Sequence, residues 1–508
     1  MNFLQEIFVL LRERRDLPVV REGEVVTTAR ELQEMIAAAR AFLRKAGVKV
    51  GDRVVLIGEN SARWMALDLA AMFQGAMVVP LYARQAPPEL AAMILDCDPT
   101  LILCDEATGI EQLIPEAAGV YLFEEAFTES AEVTEPVALP HSAPIRIVYT
   151  SGTSGDPKGA VLSVGNVDFM IPQTLGRIAE LMKGHRGQER VFHYLPCCFA
   201  GSWILLLNCL SRGSLLIFCT DLQKLGEELR DANPHWMLNV PLVLERIKTG
   251  IEDTVRQRGG AAEWLWERPW LARYLVYPAV RSQIAPSLKA LICGSAPLAE
   301  ETQRFFIKLG LPVMQVYGLT ETTAICTMDR VGRSVPGYVG QAIRGIEMKL
   351  DATGEILVRG PNVFPGYWRR EPHEGWLQTG DTGEVDASGH WKVIGRRKFL
   401  IVLQGGHNVP PEPLEQKLRL ATGASQVMLV GHGRKFLTAI VAGNVTREQV
   451  NVAIHSVNVD LPHYRRIRGV HVHEEPFRPE DGLLTANGKL KRNAILKRFA
   501  REIEELYQ

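Results

Sequence analysis

Short apolar runs alternate with helical patterns through the first 220 residues. Arg53 to Gly58 predicts a strand. Ser61 to Gln74 predicts a helix with Ala70, Ala71 and Phe73 on its apolar side. Ala76 to Leu81 predicts a strand, Glu89 to Asp96 a helix and Thr100 to Cys104 a strand. This alternation points to a parallel sheet covered by helices. A second series follows: strands at Ser214–Cys219, Trp236–Val240 and Leu288–Cys293, with helices at Leu222–Ala232 and Glu300–Leu309. The apolar stretch Trp203–Leu210 and Leu215–Phe218 is broken by Ser211-Arg212-Gly213. It predicts a core helix turning into a buried strand, too short to span a bilayer.

The texture changes after about residue 340. Lys349 to Gly360 predicts a hairpin around Ala352-Thr-Gly, and Gly383 to Gly395 another around Ala387-Ser-Gly. The last part mixes short strands (Ser425–Val430, Phe436–Val441) with terminal helices. A boundary is expected at Gly395 to Lys398. At the start, Phe3, Ile7, Leu10 and Leu11 share one helical face. A helix packed on its own domain is favoured, with a peripheral contact at the inner membrane surface left open. That stretch has no basic n-region and is not read as a signal peptide.

Composition narrows the classes. The chain has 508 residues, with 57 Lys and Arg against 58 Asp and Glu. The near-zero net charge argues against a nucleic-acid partner. Eight cysteines without CxxC spacing read as reduced thiols of a cytoplasmic protein.

The sharpest chemical signal is Tyr149-Thr-Ser-Gly-Thr-Ser-Gly-Asp-Pro-Lys-Gly159, after the strand-like run Ile145–Val148. Glycines allow close backbone approach, and hydroxyls and an ammonium sit among them. Such a loop suits phosphate oxygens. It is not the GxxxxGK[ST] loop, since Lys158 is followed by Gly159.

This run resembles the phosphate loop of the adenylate-forming superfamily, which includes acyl-CoA synthetases. Further segments carry the same resemblance in order: Gly294-Ser-Ala-Pro-Leu298, Gln315-Val-Tyr-Gly-Leu-Thr-Glu321, Thr379-Gly-Asp381, Gly395-Arg-Arg-Lys398 and Leu484-Thr-Ala-Asn-Gly-Lys-Leu490. The resemblance implies an α/β fold. A large N-terminal domain of parallel and mixed sheets layered with helices, with a β-barrel-like part, would cover residues 1–395. A hinge would cover 396–400, and a small mobile α+β domain 401–508.

It also implies residue roles. The ATP/AMP site would use Thr150, Ser151, Gly152, Thr153, Ser154, Gly155 and Lys158 of the loop. Gly294, Gln315, Val316, Tyr317, Gly318, Thr320, Asp381 and Arg396 would complete it. Tyr317 would stack on adenine, Thr320 hold the α-phosphate and Asp381 the ribose hydroxyls. Glu321 would bind magnesium, with Thr150 as a second oxygen. Lys489, Lys158 and Glu321 would be catalytic, and Lys398 the hinge pivot. Gly405 and Gly406 would leave room for the pantetheine arm of CoA; a plain tight turn explains them equally well.

The acyl side rests on Leu195-Pro-Cys-Cys-Phe-Ala-Gly-Ser-Trp203. Trp203, Phe199, Gly294 and Gly318 would line the acyl pocket, with Trp203 as a tunnel gate or a core anchor. Phe199 stands where the family often has His, and Phe399 where it often has an acid. Residues 195–218 hold no acidic side chain, which favours an alkyl chain over an amino acid. The C-terminal segments look most like those of long-chain fatty acyl-CoA synthetases. The expected activity is an ATP- and magnesium-dependent fatty acid:CoA ligase. Alternatives are transfer to a carrier-protein thiol, β-lactone formation, or a non-catalytic sensor. A homodimer is left open.

Overall fold

The computed structural model describes residues 1–106, 119–151, 157–260, 264, 266, 268, 272, 277–485 and 488–508, with Ser151 as backbone only. Two sheets dominate the described residues. One has seven strands, in the order Gly366–Tyr367, Pro157–Ser163, Pro144–Ser151, Met77–Leu81, Arg53–Ile57, Leu101–Cys104 and Gly119–Leu122. Its centre is parallel: Val54 pairs with Val78 on one side and Leu101 on the other. The second sheet has nine strands. Its parallel centre runs from Leu215–Phe218 through Arg190–His193, Trp236–Asn239 and Ala290–Cys293 to Val313–Tyr317. The expected α/β architecture is present, and most predicted strands lie within a residue or two of their expected ends, although the run Ile145–Val148 extends to Ser151.

Why these residues form these layers follows from burial. Strands such as Met77–Leu81 are buried on both faces, as continuous apolar runs require in a covered parallel sheet. The helix Ala62–Phe73 lies between layers and is buried almost all round. Its start is fixed by Ser61, whose side chain accepts from the Trp64 N–H at 3.0 Å. Cores of both sheets join through Trp64, Trp203 and Trp236.

The N-terminal helix Phe3–Glu13 settles one open point. Phe3, Ile7 and Leu11 are at most 2% exposed. Three of the four apolar residues of that face are packed in the core, and Leu10 is half-buried. Among the described residues no helix is long and apolar enough to cross a membrane.

Both predicted hairpins form. Glu347–Leu350 pairs with Glu355–Arg359, and Leu377–Val385 with Trp391–Arg396. Together they make an open four-stranded antiparallel sheet, the barrel-like part. The last hundred residues build a smaller three-stranded sheet, Gln426–Val430, Leu437–Ala442 and Ile467–His473, with its own apolar core. This part leans on the larger one through specific contacts. Arg419 pairs with Glu245, Lys491 with Glu89, and Gln416 Nε2 donates to the Pro297 carbonyl at 3.0 Å.

Candidate active site

Four separate stretches of chain meet at one cleft. The strand Val313–Tyr317 ends there, and Tyr317 donates its hydroxyl to Asp381 Oδ2 at 2.8 Å. Asp381 sits on the strand Leu377–Val385, and Arg396 ends the partner strand Trp391–Arg396. Register places Asp381 opposite Arg396, and Arg396 Nε lies 2.7 Å from Asp381 Oδ1. Thr379 Oγ1 accepts from the Asp381 N–H at 3.1 Å, so the Thr379-Gly-Asp381 turn is held from within. Burial raises the Asp381 pKa, and the charge of Arg396 opposes that rise.

The fourth stretch brings in Lys489. Its loop is tied by the Lys489 N–H to Thr485 Oγ1 (3.0 Å) and by the Thr485 N–H to the Lys489 carbonyl (2.8 Å). Gly488 takes the positive φ of 75° that the turn needs. The residue is exposed as a whole, but its ammonium is crowded by protein. Desolvation and then Arg396 lower its pKa, while Asp381 and Glu321 act in the opposite direction. Lys489 thus lies within electrostatic reach of both the Asp381 and the Glu321 carboxylates. Lys398 feels the same surroundings: burial and Arg396 lower its pKa, with Lys158 adding to the effect. Phe399, the odd residue after the expected hinge, lies 4.8 Å from Lys398 Nζ and 4.7 Å from the Arg492 guanidinium. An aromatic face can meet cations there in place of a carboxylate.

Glu321 begins the cleft wall after Tyr317. Its Oε1 accepts from the Tyr367 hydroxyl at 2.7 Å. Lys158 Nζ lies 5.7 Å from the Tyr367 ring centroid. Thr150 pairs with Lys158 across the hairpin, and its hydroxyl donates to the Lys158 carbonyl at 3.4 Å. Among the described residues no group of three or more His, Cys, Asp or Glu side chains could hold a metal alone. One half-buried carboxylate beside two lysines fits a magnesium that draws its other ligands from a nucleotide and water.

Several expected residues stand elsewhere. Gly152, Thr153, Ser154 and Gly155 lie outside the described residues, as does the Ser151 side chain. Gln315 is 3% exposed, and its amide donates to Gln303 Oε1 at 2.8 Å, so its side chain faces the core. Gly318 is needed for packing: a Cβ there would sit 2.2 Å from the Ala324 carbonyl oxygen. A Cβ at Gly294 would sit 2.6 Å from Val316 Cγ2. Gly406 takes φ 77° in a turn closed by its N–H to the Leu403 carbonyl (2.8 Å), while Gly405 and Gly406 stay exposed.

Trp203 lies within the core. It has no exposed surface. Its indole N–H donates to Asp68 Oδ2 at 3.0 Å, and Asp68 Oδ1 accepts from Arg146 Nη1 at 2.5 Å. The Arg146 guanidinium lies 4.2 Å from the Trp203 ring centroid and 5.8 Å from that of Trp64. Asp68 and Arg146 thus hold Trp203 in the core. Phe199 is half-buried and packs on Tyr82, with centroids 6.0 Å apart. A buried acid does stand behind the 195–203 segment, but Arg146 already pairs with it. No sequence reading had singled out Asp68, Arg146 or Tyr367 for a role. The signal for the first two was a charge inside an otherwise apolar helix and strand.

Comparison with known proteins gives matches over nearly the whole chain. The AMP-binding enzyme model matches residues 10–368, and the AMP-binding enzyme C-terminal domain model matches residues 399–508. The long-chain-fatty-acid–CoA ligase FadD15 of Mycobacterium bovis is 27% identical, covering 94% of this chain and 92% of the relative. ATP-bound MatB from Rhodopseudomonas palustris superposes with a TM-score of 0.78 at 23% identity, covering 99% of both chains. O-succinylbenzoate coenzyme A synthetase (MenE) from Bacillus subtilis, in complex with ATP and magnesium ion, gives a TM-score of 0.76 at 22% identity, covering 96% of this chain and 98% of that one.

Proposed function

Because this chain belongs to the AMP-binding enzyme family, we propose that it is an ATP- and magnesium-dependent fatty acid:CoA ligase acting on long-chain acids. The observation that carries the reading is the meeting of Lys489, Arg396, Asp381 and Glu321 at one cleft. The FadD15 relative, aligned over nearly the whole chain, supports the long-chain acid.

The chemistry follows from charge. The fatty acid carboxylate attacks the α-phosphorus of ATP, and pyrophosphate leaves. Both reactants are anions, so the barrier is largely electrostatic, and fixed cations and donors lower it. Lys489 and Lys158 bring that positive charge to the reacting phosphates. Tyr317 stacks on the adenine and Thr320 donates to the α-phosphate. Asp381 accepts from the ribose hydroxyls, its orientation fixed by the Tyr317 hydroxyl and Arg396. Glu321 and Thr150 would hold magnesium, which when bound neutralises phosphate oxygens. The second step transfers the acyl group from AMP to the CoA thiol, releasing AMP. In this reading residues 1–395 bind the substrates, 396–400 form the hinge around Lys398, and 401–508 rotate. Rotation removes Lys489 and brings Gly405 and Gly406 to the pantetheine.

A mass-spectrometric product assay tests this on the purified protein with ATP, magnesium and medium- to long-chain fatty acids, with and without CoA. Acyl-CoA is expected only when CoA is present, with long chains preferred. Acyl-AMP that accumulates despite CoA would instead mean a carrier-protein acceptor or lactone formation. No pyrophosphate release with any acid would overturn the ligase reading.

A further inference from the structure

We infer that Tyr367 is a positioning residue for the nucleotide-bound metal, acting through Glu321; this rests on the reading of Glu321 as the magnesium ligand. Three observations carry it. First, the Tyr367 hydroxyl donates to Glu321 Oε1 at 2.7 Å, and among the described residues no other side chain donates to that carboxylate. One oxygen is thereby engaged, and the other has no side-chain donor among the described residues. Second, the Tyr367 ring lies 5.7 Å from Lys158 Nζ, within cation–π reach. One side chain thus touches both the metal-side carboxylate and a phosphate-side lysine.

Third, the backbone around Tyr367 ties together the two chains that carry those groups. Tyr367 pairs with Ala160, and the Trp368 N–H donates to the Gly159 carbonyl at 2.7 Å, next to Lys158. On the other flank the Phe364 N–H donates to the Glu321 carbonyl at 2.9 Å, and Thr323 Oγ1 donates to the Asn362 carbonyl at 2.8 Å. Gly366 makes the bend between these flanks with φ 143°, and a Cβ there would meet the Glu371 carbonyl oxygen at 3.2 Å. Phe364 then fixes the Tyr367 ring edge-on, with centroids 4.9 Å apart and planes at 82°. The hydroxyl is aimed by packing from both sides.

A group that orients a metal ligand changes metal affinity when it is lost, on the order of 10- to 100-fold. Tyr367→Phe keeps the ring against Lys158 and removes only the hydroxyl. The readout is the dissociation constant of α,β-methylene-ATP by calorimetry, in magnesium and in EDTA. In the parent, magnesium is expected to tighten binding. In Tyr367→Phe this magnesium enhancement is expected to shrink about 10-fold, with binding in EDTA and the melting temperature unchanged. Tyr367→Leu, which also removes the ring, should weaken binding in EDTA as well. In a Glu321→Gln background, Tyr367→Phe should change the enhancement no further.

An unchanged enhancement in Tyr367→Phe, an equal loss with and without magnesium, or a further loss in the Glu321→Gln background would each overturn the inference. If the parent itself shows no magnesium enhancement, the reading of the Glu321 site fails, and this inference with it.

Discussion

Two polar clusters lie within a few strands of one another, and they are built for different ends. At the cleft, Asp381 meets Arg396, Tyr317 meets Asp381 and Tyr367 meets Glu321, with the lysines nearby. Each of these pairs keeps at least one member partly exposed. In the core, Asp68 accepts from both Arg146 and Trp203, and none of the three has any exposed surface. The first cluster can exchange protein partners for a ligand. The second cannot do so without opening the core. Polar residues near a reaction centre are thus sorted by access rather than by charge. Arg146 lies four positions before Thr150 on one strand, yet it belongs to the core cluster.

Removing one member of each cluster should separate the two roles. Arg146→Met leaves Asp68 ionisable and unpaired in the core. A broken buried pair costs about 3–5 kcal/mol, so a large drop in chemical-denaturation midpoint is expected. Folded protein at low temperature should retain its chain-length preference. A variant as stable as the parent would show that Asp68 is neutral and the pair carries no charge. Lys489→Ala should do the opposite. Loss of one electrostatic contributor at a reaction centre costs on the order of 10²–10³ in rate. Pyrophosphate release should fall by that factor while the melting temperature stays level, because the residue is exposed. Adenylation at the parent rate would remove Lys489 from the reaction.

How legible were these clusters in the sequence? The parallel sheets were, because continuous apolar runs such as Val54–Ile57 leave few alternatives to a covered strand. The cleft residues were legible through ordered motifs, and the structure adds how they touch. Gln315 shows the limit of motif reading: it sits in the right segment, but its side chain is buried in a hydrogen bond to Gln303. Trp203 shows another. A tryptophan at a helix start gives no sign that Asp68, 135 residues earlier, will accept from its indole N–H. Tyr367 carries no role in the sequence reading, because its partner Glu321 is 46 residues away. Long-range partners of this kind have no local signature.

Asp329 gives a smaller and finer test of sorting by access, since it lies beside the cleft yet is sealed from it. It is 1% exposed. Its Oδ2 accepts from the Gln315 N–H at 2.9 Å, and its Oδ1 has no partner among the described residues. Burial pushes its pKa up from 3.8 to about 7, against that one hydrogen bond. The unfolded chain releases this proton near pH 4, and the folded chain holds it until about pH 7. Between those values the native state binds more protons, so stability falls as pH rises through the window. Below it both states are protonated, and above it both are ionised, so the effect levels off. Asp329→Asn can still accept from Gln315 but cannot ionise. Its melting temperature relative to the parent should therefore rise from pH 5 to pH 8, by about 1–2 °C. Pyrophosphate release by this variant should stay within about twofold of the parent, as for a side chain that touches no substrate. A melting-temperature gap that stays constant with pH would mean that Asp329 is ionised throughout, and that this buried carboxylate has a partner the fold supplies in solution.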